Sequence, residues 1–177
     1  MNIQELAKSI PVEGEYSLEG LDFNISGEQY LTFSLAAENY AVDILSVEEI
    51  RAWETPSKIP NAPHYVKGVI NIRGIIVPII DLRLKFSVGI DHKTGGVDYS
   101  KTTVVIVLKH KHKRVTKTMG FVVDSVSDVL NLEQEEIKKP SIIEGSVPLD
   151  YIEGLINVGN NVVTLLNVKL LQTIEPH

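Results

Sequence analysis

Residues 65–85, YVKGVINIRGIIVPIIDLRLK, occur a second time in this chain in altered form. Residues 151–171 read YIEGLINVGNNVVTLLNVKLL, and the two segments align without a gap at an offset of 86. The alignment places Gly68 on Gly154, and nearly every apolar position of one segment falls on an apolar position of the other. Self-similarity at a fixed offset indicates internal duplication. We therefore expect two copies of one structural unit.

Short alternating segments precede each copy. Residues 29–35, QYLTFSL, alternate between two faces with the period of a half-buried strand, and residues 40–44, YAVDI, return after a turn. This pattern predicts a hairpin. Residues 102–108, TTVVIVL, and residues 120–126, GFVVDSV, take the corresponding place before the second copy. Short strands with tight turns and few helical patterns predict a mainly β fold.

The duplication predicts two small β-barrel subdomains. The first comprises about 28–90 together with a C-terminal segment, 167–175, that contains a short helix. The second comprises about 100–166. Each is close to the lower size limit for independent stability, so we expect them to share an interface. Residues 1–27 are expected to form a flexible N-terminal arm, and residues 172–177 a C-terminal tail.

Composition and motif searches give no indication of catalysis. The 177 residues include no cysteine, which excludes disulfides and thiolate sites. Phosphate-binding glycine loops, the G-x-S-x-G elbow and the H-E-x-x-H zinc motif do not occur. No signal peptide and no apolar stretch long enough to cross a membrane is visible. We predict a cytoplasmic, non-enzymatic protein with no cofactor, no metal and no direct membrane insertion.

Residues 109–118, KHKHKRVTKT, form the single strongly basic segment of a chain whose net charge is −6. His110 and His112 would share one face of a strand, a spacing that can bind a metal. A solvated hairpin is the preferred interpretation, because charged residues at such turns are ordinarily hydrated. Binding of nucleic acid through this hairpin is the alternative function, although the segment has no aromatic residues for base stacking.

The repeat also separates two features of the turn at Arg73–Gly74. The second copy has Gly159–Asn160 there, and both pairs suit a tight hairpin. The turn is therefore structural, while the arginine is present in one copy only. A guanidinium beside apolar strands presents five donors to a partner. Pro78 lies inside the strand that follows this turn, and it predicts that this strand is at a sheet edge.

Four motifs carry a resemblance to a known family: YAVDILSVEEIR (40–51), IPNAPHYVKGVINIRGIIVPIIDLRLKF (59–86), TTVVIVL (102–108) and GFVVDSVSDVLNL (120–132). The chain resembles the CheW family of bacterial chemotaxis coupling proteins over residues 28–171. The resemblance implies that these residues form a CheW-like domain. That resemblance implies two intertwined SH3-like five-stranded β-barrels. It also implies a non-catalytic adaptor of membrane-bound receptor arrays, which couples the cytoplasmic tips of chemoreceptors to the regulatory domain of the histidine kinase CheA.

The same resemblance assigns binding residues by matched position. Charged groups beside apolar strands, Glu49 and Arg73, are the principal receptor-binding candidates. The other receptor-binding positions are Val47, Gly68 and Val104. The kinase-binding pair is Ile142 and Ile143.

Overall fold

The computed structural model describes residues 28–140 and 147–174. The expected arm and the predicted kinase-binding pair Ile142 and Ile143 lie outside these residues. Within them are eleven strands and two short α-helices, with 3₁₀ turns at Ile44–Ser46, Gln134–Glu136 and Leu149–Tyr151. The strands are β1 (Glu28–Leu35), β2 (Glu38–Asp43), β3 (Val47–Ala52), β4 (Val66–Ile72), β5 (Ile75–Asp81), β6 (Val104–His112), β7 (Val115–Val123), β8 (Ser125–Leu132), β9 (Ile137–Lys138), β10 (Ile152–Val158) and β11 (Asn161–Leu166). The helices are α1 (Leu82–Phe86) and α2 (Val168–Leu171).

The mainly β prediction is confirmed. Four antiparallel hairpins form where the alternating segments predict them: β1–β2, β4–β5, β6–β7 and β10–β11. The short helix expected near the C-terminus is α2.

The two sheets exchange strands between the sequence copies. One sheet has six strands in the order β8-β1-β2-β11-β10-β9, and the other has five in the order β3-β6-β7-β5-β4. The opening hairpin of each copy therefore pairs with the closing hairpin of the other copy. The junctions are the two parallel pairs of the fold, β2 with β11 and β5 with β7. Neither sheet can form from one half of the chain.

Matched details show that the exchange preserves the repeat. The β4–β5 ladder shifts register between Val66 and Gly68, and the β10–β11 ladder shifts between Ile152 and Gly154, at the same offset of 86. The residue directly after each of these two ladders caps the following helix. Asp81 Oδ1 accepts from the backbone of Arg83, and the matching residue Asn167 accepts through Oδ1 from the backbone of Leu170, each at 3.0 Å.

Three apolar clusters hold the sheets together. The largest contains residues of both sheets, among them Phe33 of β1 and Phe121 of β7. Each sheet also has its own smaller cluster, with Val163 in the six-stranded sheet and the matching Val77 in the five-stranded sheet. The shared cluster explains why neither sheet is independent. Separating the two sheets would expose buried apolar surface to water, at a free-energy cost of about 25 cal/mol per Å².

The expectation that Pro78 marks a sheet edge is wrong. Pro78 lies on β5, which is an internal strand between β7 and β4. The pairing with β7 begins only at Ile79, opposite Gly120. Proline is tolerated there because the ladder on that side starts one residue later.

Candidate functional site

The turn between β4 and β5 presents Arg73 to solvent. Arg73 and Gly74 both have positive φ, 50° and 84°, as a two-residue hairpin turn of type I′ requires. Asn71 stabilises the turn, because its side-chain oxygen accepts from the backbone N–H of Gly74 at 2.8 Å. The side chain of Arg73 remains 63% exposed.

Arg73 also connects the two outer strands of the five-stranded sheet. Its Nη1 lies 3.3 Å from Oε2 of Glu49, and its Nη2 lies 3.8 Å from Oε1 of Glu48, both on β3. Strands β3 and β4 stand at opposite ends of the hydrogen-bonded order. The sheet therefore curls until its two outer strands approach each other. A bridge between Ser57, which follows β3, and Val69 of β4 closes the same gap.

Glu49 belongs to a charged network of five residues, of which the sequence identified only Glu49 and Arg73. Its side chain is 11% exposed, and its second oxygen lies 3.2 Å from Nη1 of Arg51. Glu48 reaches Lys109 of β6 at 3.6 Å. The period of two on a strand places Glu49 and Arg51 on one face and could have identified Arg51. Nothing in the sequence places Lys109 next to β3.

Exposed apolar side chains follow the Arg73–Gly74 turn. Ile75 and Ile76, directly after the turn, are 57% and 60% exposed. Large apolar groups in solvent beside a cation are typical of protein contact surfaces, where arginine is enriched. We call Glu48, Glu49, Arg73, Ile75 and Ile76 the turn surface.

The remaining receptor-binding candidates are more enclosed. Val47 is buried in the shared cluster, and Val104 is half-buried against it. Gly68 is buried with a φ of 143°, and a Cβ there would overlap the carbonyl oxygen of Ser57. The structure gives Val47 and Gly68 packing and backbone roles. Glu49 and Arg73 are the two candidates that it brings into direct contact.

A second arginine in the same sequence segment has a very different environment. Arg83 is 4% exposed, and it donates from Nε and Nη2 to the two oxygens of Asp81, at 3.0 and 2.9 Å. Nη1 donates to Asp124 at 2.9 Å and to the carbonyl of Asp98 at 2.6 Å. Burial alone would lower the pKa of Arg83, but hydrogen bonds and charge attraction from the two carboxylates raise it. Arg83 is therefore a fixed structural cation.

Among residues 28–140 and 147–174, no three His, Asp or Glu side chains lie close enough together to hold a metal ion. Within the same ranges, no helix has the length and apolar character needed to cross a membrane.

The fold is a mainly β domain whose two sheets exchange hairpins, and its turn surface has the exposed apolar and arginine side chains that are typical of protein contact surfaces. Comparison with known proteins gives the family: the model of the CheW-like domain matches residues 29–175. The chain belongs to this family, whose members are non-catalytic scaffolding proteins of chemotaxis.

Individual relatives agree with this assignment. The chain is 41% identical to the chemotaxis protein CheW of Klebsiella aerogenes over 149 residues, 84% of each protein. It is 30% identical to the chemotaxis protein CheW of Helicobacter pylori over 142 residues, which is 80% of this chain and 79% of that protein. The crystal structure of the scaffolding protein TtCheW from Thermoanaerobacter tengcongensis superposes with a TM-score of 0.72 at 26% identity, covering 86% of this chain and 92% of that one.

Proposed function

We propose that this chemotaxis scaffold, acting in the cytoplasm, binds the cytoplasmic signalling tip of chemoreceptors through the turn surface and the regulatory domain of the kinase CheA through another face. Coupling then requires no chemistry. A receptor state that changes how the scaffold is held changes how the scaffold holds the kinase, and the two binding free energies are linked.

The exposed guanidinium of Arg73 is the observation that carries the proposal. Arg73 is held by a turn that needs no arginine, and the exposed Ile75 and Ile76 follow directly after this turn. Its contacts of 3.3 and 3.8 Å to β3 carboxylates are long for charge-assisted hydrogen bonds. Its donors are therefore available to an acceptor on a partner, while Glu48 and Glu49 orient the side chain.

Glu49 helps to orient Arg73 without holding it permanently. Arg51 shares the Glu49 carboxylate, so Glu49 keeps a cationic partner when Arg73 turns toward a receptor. Val47, Gly68 and Val104 then shape the strands beneath the turn surface. Ile142 and Ile143 are the proposed apolar contact with the kinase.

Binding to a receptor cytoplasmic fragment, measured by calorimetry, tests the proposal. Arg73→Ala should weaken binding at least about tenfold, because a central arginine of an interface commonly contributes more than about 1.4 kcal/mol. Arg73→Glu should weaken it further. Binding to the isolated CheA regulatory domain should stay unchanged in both variants.

Asn160→Ala provides the matched control. It alters the corresponding turn of the other copy, which is exposed and uncharged. Receptor affinity should not change. If Arg73→Ala and Asn160→Ala leave the receptor affinity equal, the turn surface is not the receptor site. If the unaltered chain binds neither fragment, the coupling function itself is refuted.

A further inference from the structure

The basic hairpin is a surface that the scaffold function leaves unused. Strands β6 and β7 pair along their whole length, from Val104 opposite Val123 to His112 opposite Val115. The neighbouring strands are shorter. Strand β3 reaches only Leu108, and the pairing of β5 with β7 starts at Gly120. Residues 109–118 therefore form a two-stranded extension of about 14 Å beyond the sheet, which we call the ribbon.

The ribbon carries five lysines and arginines and no acidic residue. Two of these cations are engaged where the ribbon leaves the sheet: Lys109 with Glu48 at 3.6 Å, and Lys117 with the carbonyl of Gln172 at 2.7 Å. Lys111, Lys113 and Arg114 are exposed and make no ion pair with the described residues. Three neighbouring cations at the ribbon's outer end thus have no counter-charge among residues 28–140 and 147–174.

The complementary charge lies in the same chain. Residues 1–27 contain five acidic residues and one lysine. Apart from this arm and the ribbon, the chain has eighteen acidic and eleven basic residues, a net charge of −7. An acidic segment is therefore repelled by the body of the protein as a whole and attracted by the ribbon.

Length permits the contact. A segment of 27 residues can span up to about 90 Å when extended, and a domain of this size is about 40 Å across. The arm joins the described fold at Glu28, so the ribbon is within its reach from any point of attachment. Covalent attachment also raises the arm's effective concentration at the ribbon to the millimolar range.

We propose that the acidic N-terminal arm docks on the basic ribbon of the same chain. The arm supplies the counter-charge for Lys111, Lys113 and Arg114 and shields the ribbon from other polyanions. Nucleic acid fits the surface less well than the arm, because the ribbon lacks aromatic side chains for stacking and the body of the protein repels phosphates.

The absence of cysteine allows a direct distance test in the full chain. Spin labels at Ser17→Cys and Thr116→Cys would report the separation of arm and ribbon by pulsed electron paramagnetic resonance. The control pair is Ser17→Cys with Asn160→Cys, at the uncharged β10–β11 turn. At low salt we expect a short, narrow distribution for the ribbon pair and a long, broad one for the control pair. Near 1 M salt, where the Debye length is about 3 Å, the ribbon pair should become as broad as the control.

Charge reversal separates a specific contact from accidental proximity. The ribbon variant Lys111→Glu, Lys113→Glu and Arg114→Glu should lengthen the distance. The arm variant Glu13→Lys, Glu15→Lys and Glu19→Lys should do the same. Combined in one chain, the two sets should restore the short distance. Identical distances in all four proteins would overturn the proposal.

A labelled DNA duplex tests the competing occupant in the same proteins. Neutralising the arm with Glu13→Gln, Glu15→Gln, Glu19→Gln and Asp22→Asn should increase binding of the duplex to the ribbon. If the unaltered chain already binds the duplex with steep salt dependence, and the neutralised arm changes nothing, the ribbon serves nucleic acid and the arm does not cover it. Circular dichroism verifies that each variant is folded.

Discussion

Arg73 and Arg83 stand ten residues apart in one apolar segment, yet they have opposite roles. The side chain of Arg73 is 63% exposed and makes only long contacts to β3 carboxylates. The side chain of Arg83 is 4% exposed and donates to two carboxylates and a backbone carbonyl. The first is available to a partner, and the second is part of the interior.

The repeat comparison does not distinguish these two residues. Arg73 falls on Gly159 of the second copy, and Arg83 falls on Lys169. Both arginines are thus missing from the matching copy, but one of them is structural. Asymmetry between the copies therefore indicates that a residue is special to one copy, without indicating whether its role is in folding or in binding. Burial and partners decide that question.

The largest expected effect comes from Arg83→Ala. The carboxylate of Asp81, fully buried, would lose its bidentate partner, and breaking a buried pair in this way typically costs about 3–5 kcal/mol. Urea unfolding measures the loss of stability. Arg51→Ala is the control, because its pair with Glu49 is partly exposed and should contribute under about 1 kcal/mol.

A double variant distinguishes loss of the buried ion pair from a general failure to fold. Asp81→Asn with Arg83→Met removes both charges and should recover part of the stability lost in Arg83→Ala. A loss below about 1 kcal/mol for Arg83→Ala would mean that the buried network is not structural, and the contrast with Arg73 would disappear.

Gly68→Ala is expected to have the next largest effect without altering either arginine. The residue has a φ of 143°, and a methyl group would overlap the Ser57 carbonyl, so we expect a loss of about 3 kcal/mol. Gly74→Ala is the matched control. It has a φ of 84° but open space around it, so it should cost only about 1–2 kcal/mol. Equal losses in the unfolding free energy would show that the approach of Ser57 is unimportant.

Arg73→Ala should change stability very little. Glu49 retains Arg51 at 3.2 Å, and exposed pairs contribute at most about 1 kcal/mol. The unfolding midpoint should stay close to that of the unaltered chain, while receptor binding falls as described above. A stability loss as large as that of Arg83→Ala would make Arg73 a structural residue as well.

The smallest expected effect concerns Glu153, a carboxylate that, unlike Glu49 and Asp81, has no arginine partner among the described residues. Burial, followed by the charges of Asp43 and Glu28, raises the pKa of Glu153. None of the three forms an ion pair within the described ranges. A raised folded-state pKa means that ionised Glu153 destabilises the fold, and the effect disappears below the ordinary Glu value of about 4.3.

Because Glu153 is an exposed residue, solvent screens these charges, and Glu153→Gln should stabilise the protein only slightly at pH 7, by under about 0.5 kcal/mol. The gain should shrink on acidification and vanish near pH 3, where the carboxyl is protonated in both states. Unfolding curves at the two pH values provide the measurement. A gain that persists at pH 3 would assign the effect to packing and not to charge.

Local features of the fold were predictable because they depend on neighbouring residues. The period of two identified the hairpins, and glycine or asparagine identified their turns. The prediction for Pro78 failed because whether a strand lies inside or at the edge of a sheet depends on distant partners. Glu49 and Arg73 were named as separate candidates, but their contact depends on the curl of a sheet whose outer strands they join.

The amino-acid sequence by itself determined the duplication, the strands and turns, and the family to which the chain belongs, because periodicity, turn residues and motifs are local properties. Only the tertiary structure decided that the two copies exchange hairpins, that Arg83 lies in the interior, and that Arg73 remains in solvent beside Glu49. Those properties arise from pairing and burial between residues far apart in the chain. The physical reason is that a guanidinium has the same chemistry at both positions, and its surroundings determine whether its donors are satisfied within the fold or available to a partner.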